Sequence, residues 1–103
     1  MLPKSLRLSR PDFLQTKKLG KNLKLPWASL LVFPNQLGIN RWAVVTSTKL
    51  DKKAVVRNQL RRIIYNSAKL ILGNHDVIIF PNKQAFELSQ TEICQTLKQV
   101  INI

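Results

Sequence analysis

A chain of 103 residues, 45% hydrophobic and 21% charged, has room for one hydrophobic core and is too short for two, and it is neither a disordered tail nor a disulfide-stapled mini-protein. Seventeen Lys and Arg against five Asp and Glu give a formal net charge of +12, far beyond what solubility requires. Such a field concentrates polyanions, and the candidate partners are nucleic acid, anionic lipid and acidic protein.

The charge is uneven. Beyond Lys69 the only basic residues are Lys83 and Lys98, whereas residues 1–69 contain only Asp12 and Asp51 as acids. Cys94 is alone, which excludes an intramolecular disulfide and fits a reducing compartment. No apolar run approaches the roughly 20 residues of a membrane span. The N-terminus lacks the apolar stretch of a signal peptide. Its Arg, Ser and Lys without an acid before Asp12 leave two readings open, an organellar transit peptide or the start of the fold.

In chain order, "SRPDFLQTKKLG" predicts a short helix with Ser9 as N-cap, Asp12 three residues on, Pro11 in the first turn and Gly20 as the stop. The runs "PWASLLVFPN" and "NRWAVVTSTK", separated by the turn residues of "PNQLGIN", are expected to form an antiparallel pair. Asp51 is placed to cap a helix entering at about Lys52. At 100° per residue, Leu60, Ile63, Ile64, Ser67 and Ile71 form one stripe of that helix, while Asn58, Arg61, Arg62, Tyr65 and Lys69 gather opposite. Gly73 and Asn74 are expected to end it.

"DVIIFP" then reads as a buried strand. "LSQTEI" opens the last helix with a Ser89–Glu92 capping box and a Leu88–Ile93 staple, and Ile93, Leu97, Val100 and Ile101 form its apolar stripe. The expected fold is an α+β single-domain sandwich over residues 1–103. A small, mostly antiparallel sheet is packed with helices in the order α-β-β-β-α-β-α, and one of the first three strands can be irregular.

The segment "KKAVVRNQLRR", preceded by "TSTKL", resembles the signature of the bacterial ribonuclease P protein component family. "LPKSLRLSRPDF" resembles that family's N-terminal approach and first helix, and "DVIIFPNKQAFELSQTEICQTLKQVI" its last strand, loop and closing helix. The resemblance implies a ribosomal protein S5 domain 2-like fold. It also implies a bacterial, cytoplasmic RNA-binding subunit that partners ribonuclease P RNA, one protein per RNA, and assists removal of the 5′ leader from precursor tRNA. Catalysis is then expected from the RNA and its Mg²⁺, with no organic cofactor and no catalytic protein side chain. By position, Lys49, Lys52, Lys53, Arg57, Asn58, Arg61 and Arg62 match the part that contacts the catalytic RNA. Phe13, Lys17 and Tyr65 are assigned to the leader. The chain departs from the family pattern at Gln59 and Tyr65, where basic residues are usual, and at Lys17, where a second cleft aromatic is common.

The side-chain chemistry agrees with an RNA partner. Arg pairs phosphate oxygens bidentately, Lys supplies a mobile charge, and Phe13 and Tyr65 are able to stack on unpaired bases of any sequence. Blander readings stand beside these: a solvated basic face, Phe13 in the core, Tyr65 as exposed filler. Trp27 and Trp42 are expected in the core or on a sheet face, Cys94 as a small buried hydrophobe, and His75 as structural or solvated. One His and five scattered acids advertise no cluster for protein-borne phosphodiester chemistry. Two other classes remain: a ribosomal-type structural RNA-binding protein, and a peripheral protein of anionic membranes, which the helices' lack of a large exposed apolar face disfavours.

Overall fold

The computed structural model describes residues 6–71 and 73–101. The N-terminal approach up to Ser5 lies outside them. Helix α1 spans Arg10–Leu19 and starts as its sequence dictates, with Ser9 Oγ accepting the Asp12 N–H at 3.5 Å and donating to the Asp12 carboxylate at 2.5 Å. It stops at Gly20, where a Cβ would collide with the Thr16 carbonyl that accepts the Gly20 N–H.

Strands β1 (Lys21–Leu25) and β2 (Ala28–Pro34) form a tight antiparallel hairpin across Pro26 and Trp27. Strand β3 (Arg41–Val44), helix α2 (Ala54–Ala68), strand β4 (His75–Pro81), a 3₁₀ helix (Lys83–Glu87) and helix α3 (Gln90–Ile101) complete the chain. The order of elements is the expected one.

The sheet order is β1-β2-β4-β3. The two apolar runs expected to pair with each other do not: β4 enters between them, antiparallel to β2 and parallel to β3. The physical reason lies in β4 itself. Asp76, Val77, Ile78 and Ile79 are all buried, so this strand loses apolar surface to both faces and belongs in the middle. The parallel β3–β4 pair then needs a crossover connection, which α2 provides.

Alternation sorts the two faces. Leu30 and Val32 of β2, Trp42 and Val44 of β3, and Val77 and Ile79 of β4 point to one side, where Leu60 and Ile64 of α2 and Ile93 and Leu97 of α3 close the core. Trp27 also packs there, its Nε1–H donating to Thr96 Oγ1 at 3.0 Å. Burying each such side chain contributes about 1.5–3 kcal/mol. Helix α1 lies on the opposite face, against β4 and β2, and covers Ile78.

Three local expectations change. Helix α2 begins at Ala54, not at about Lys52, because Asp51 Oδ1 accepts the Lys53 N–H at 2.8 Å in a turn ahead of the helix and leaves Lys53 at the N-cap without a side-chain bond. Ile63 is 37% exposed, since the buried face of α2 is turned toward Ala68. The helix ends at Ala68, before Gly73.

Gly73 serves another purpose. Buried Asn40 donates from Nδ2 to the Ile71 carbonyl at 3.0 Å and accepts the His75 N–H at 2.9 Å, tying the α2–β4 turn to the start of β3. A Cβ on Gly73 would lie 2.7 Å from Asn40 Oδ1. Gly73→Ala is therefore expected to cost about 1–3 kcal/mol of stability, read as a lowered urea midpoint at unchanged m-value.

At α3 the capping box forms, Ser89 Oγ accepting the Glu92 N–H at 3.2 Å and Glu92 Oε1 accepting the Ser89 N–H at 3.4 Å. Leu88 and Ile93 both join the core, and Cys94 is half-buried against it. Among the described residues no helix is long and apolar enough to cross a membrane.

Candidate nucleic-acid interface

Three sets of residues emerge from this fold. The first is a groove of about 370 Å³ lined by Arg7, Asn58, Arg61, Arg62 and Tyr65. One wall is the exposed face of α2, where positions 58, 61, 62 and 65 converge because they are three or four residues apart. Arg61 Nη2 donates to Asn58 Oδ1, which holds the guanidinium along the helix. The other wall is the chain leading into α1, which runs parallel to the outer edge of β3: Arg7 pairs with Trp42, and the Leu8 N–H donates to the Trp42 carbonyl at 3.1 Å.

Tyr65 is half-buried in this groove, its hydroxyl oxygen accepting the Val44 N–H at 3.1 Å. The phenol thus covers an edge amide of β3 that would otherwise lack a partner. That role gives a physical reason for a tyrosine at position 65, where the resemblance leads one to expect a basic residue. The same geometry places Tyr65 with Asn58, Arg61 and Arg62, and not with Phe13 and Lys17.

The second set surrounds the start of α2. Lys49, Lys52 and Lys53 line an open trough of about 500 Å³ with Lys83 and Phe86 from the 3₁₀ helix. The helix has no acidic residue in its first turn and no side-chain cap, so its unpaired amides and positive dipole end face the same lysines. In the absence of an anion that arrangement is unfavourable, and it suits a phosphate. Arg57 is half-buried and lines neither the groove nor the trough; its Nη1 donates to the Asp51 carbonyl at 3.1 Å.

The third set is on the opposite sheet face. Helix α1 leaves Leu31 and Phe33 of β2, Ala43 of β3 and Phe80 of β4 half-exposed beside it. Phe13 is half-buried and Lys17 exposed one turn later on α1. The result is an apolar, partly aromatic floor next to a basic helix.

An ion triad fixes α1 to that floor. Arg41 engages Asp76 with Nε on Oδ1 at 2.8 Å and Nη2 on Oδ2 at 2.7 Å, and reaches Asp12 Oδ2 with Nη1 at 2.8 Å. The Asp76 side chain is 3% exposed. Asn35 Nδ2 donates to Asp76 Oδ1 at 2.8 Å. The Ser9 hydroxyl, and after it Arg41, hold the Asp12 carboxyl below the ordinary value of 3.8, against the opposing effect of burial. The Asp76 hydrogen bonds raise the Arg41 pKa further.

Two acids that the sequence leaves scattered therefore meet, with a guanidinium between them. Both are committed to Arg41, and among the described residues no three His, Cys, Asp or Glu side chains form a metal site. Asp12 and Asp76, each bonded to the Arg41 guanidinium, do not fit Mg²⁺. Arg7 and Arg41 are site residues that sequence pattern does not single out. Arg7 carries no signal beyond its charge, because only the non-local pairing with Trp42 brings it to α2. Arg41 sits in a strand pattern as an isolated charge, which is a detectable sign of a buried ion pair.

A family model described as Ribonuclease P matches residues 2–103. A ribonuclease P protein component of Clostridium kluyveri is 29% identical over 96 residues, covering 87% of this chain and 85% of that protein. One from Aromatoleum aromaticum is 43% identical over 49 residues, a shorter match covering 45% of this chain and 41% of that protein. The ribonuclease P protein structure from Thermotoga maritima superposes with a TM-score of 0.77 at 26% identity, covering 92% of this chain and 94% of that one. With a family match over nearly its whole length and the same α+β architecture, this chain belongs to the ribonuclease P protein family, components of an endoribonuclease of tRNA processing.

Proposed function

We propose that the chain binds ribonuclease P RNA through the α2 groove and its lysine-rich start, and the 5′ leader of precursor tRNA on the open sheet face beside Phe13 and Lys17. The observation that carries this reading is the convergence of Arg7, Asn58, Arg61 and Arg62 in one groove with no acidic side chain lining it among the described residues. Planar guanidinium groups gathered in one groove suit the phosphates of a duplex or folded RNA.

Mg²⁺ held by the RNA supplies the Lewis acidity for phosphodiester hydrolysis. The protein's part is positioning. Its positive field offsets the repulsion between two RNAs, which lowers the Mg²⁺ they require. The aromatic floor binds leader nucleotides by stacking, a contact that tolerates any sequence. One protein acts per RNA, in the bacterial cytoplasm.

Phe13 tests the leader assignment. Phe13→Ala is expected to raise the KM of the reconstituted enzyme roughly five- to tenfold for precursors carrying a leader of several nucleotides, with KM for leaderless substrate unchanged. Equal loss on both substrates would place Phe13 in packing alone.

A further inference from the structure

The trough at the start of α2 contains two residues that no sequence motif singles out, Lys83 and Phe86. They come from the 3₁₀ helix that follows β4, and its geometry explains their placement. With three residues per turn, every third side chain shares a face. Ala85 points inward and is buried, whereas Gln84 and Glu87 line a separate groove with Trp27 and Glu92. Lys83 and Phe86 share the remaining face and line the concavity with Lys49, Lys52 and Lys53.

The turn thus separates its charges, sending acid to one side and base plus aromatic to the other. Asp51 is the one acidic residue lining the trough, and its Oδ1 already accepts the Lys53 N–H. Phe86 is 40% exposed, the most exposed aromatic ring of the described residues. The parallel β3–β4 pair brings the two halves together, because both strands deliver their following segments at the same end of the sheet.

We propose that this trough is a separate nucleotide site on the protein, in which an unpaired nucleotide of the partner RNA stacks its base on Phe86 while Lys83 and the lysines opposite hold its flanking phosphates. An exposed ring in a trough lined by Lys49, Lys52, Lys53 and Lys83 fits a base flanked by phosphates. The site rests on the ribonuclease P reading above.

The test is equilibrium binding of the full chain to a bacterial ribonuclease P RNA across a salt series. Phe86→Ala and Phe86→Leu are each expected to weaken binding roughly tenfold with the salt slope unchanged, and Phe86→Trp to restore native affinity. Lys83→Ala is expected to make the slope of log K against log salt shallower by about 0.7–0.9. If Phe86→Leu binds as tightly as native protein, stacking is absent and the proposal fails. It also fails if Phe86→Ala leaves RNA affinity intact but weakens binding of a poly-glutamate probe, which would assign the trough to an acidic protein segment. Arg61→Ala separates the two levels of inference. If it weakens RNA binding while the Phe86 and Lys83 variants do not, the trough proposal alone is overturned. Failure of the native chain to bind the RNA would overturn both.

Discussion

The double substitution Arg61→Ala/Arg62→Ala is expected to lower affinity for ribonuclease P RNA about a hundredfold at physiological salt while the protein still melts within a few degrees of the native one. Each guanidinium that bonds a phosphate contributes roughly 1.5 kcal/mol, and removing two gives about 3 kcal/mol. Neither side chain enters the core: Arg62 is exposed, and Arg61 bonds only Asn58 across the helix surface. The slope of log K against log salt is expected to become shallower by roughly 1.4–1.8, one increment for each phosphate that is no longer neutralised. Filter binding over a salt series reads both quantities. An unfolded variant, seen by circular dichroism, would remove the assignment of these residues to the surface.

Arg41 governs stability in the same measure that Arg61 and Arg62 govern binding. Arg41→Met is expected to cost about 3–5 kcal/mol, because the buried Asp76 side chain would lose its guanidinium partner and keep the Asn35 donor. For a domain of this size that lowers the melting temperature by roughly 15–25 °C. Asp12→Asn is expected to cost under about 1 kcal/mol, since Asp12 is 30% exposed and its pair with Arg41 is screened by water. Adding Asp76→Leu to Arg41→Met is expected to recover much of the stability by removing the stranded charge. Differential scanning calorimetry of the three variants distinguishes a buried ion pair from a surface one.

The same triad sets a pH dependence. Folding lowers the Asp12 pKa, so its contribution is complete above the ordinary value of 3.8 and is lost as pH falls through the lower folded value. Native protein is therefore expected to shed this part of its stability only below about pH 4, and Asp12→Asn to lack that step.

Local signals in the sequence are faithful where their partners lie within one turn. The Ser9 cap and the Ser89–Glu92 box involve residues three apart, and both form. The basic face of α2 follows from 3.6-residue periodicity alone. Strand partnership is not legible in the same way, because alternation fixes which face a residue occupies but not which strand lies beside it. The unbroken apolar run of β4 is the one available sign, marking a strand covered on both faces and therefore central. Asp51 misleads for a related reason. An Asp before a helix bonds equally well to a backbone amide two residues on, and here that shorter loop wins.

The candidate sites divide along the same line. Asn58, Arg61 and Arg62 share a groove because one helix presents them. Tyr65 is separable from Phe13 only once the sheet stands between them, and Arg7, Lys83 and Phe86 reach their places through contacts distant in sequence. The departure at Tyr65 has a structural account in its bond from the Val44 amide, whereas nothing in the structure explains Gln59.

The most direct measurement is cleavage of a precursor tRNA at low Mg²⁺ by a bacterial ribonuclease P RNA, with and without this protein and alongside the protein alone, with the 5′ end of the product mapped. The expected result is cutting at the mature 5′ end that is strong only when RNA and protein are both present. Cleavage by the protein alone, or tight RNA binding with no stimulation of cleavage, would contradict it.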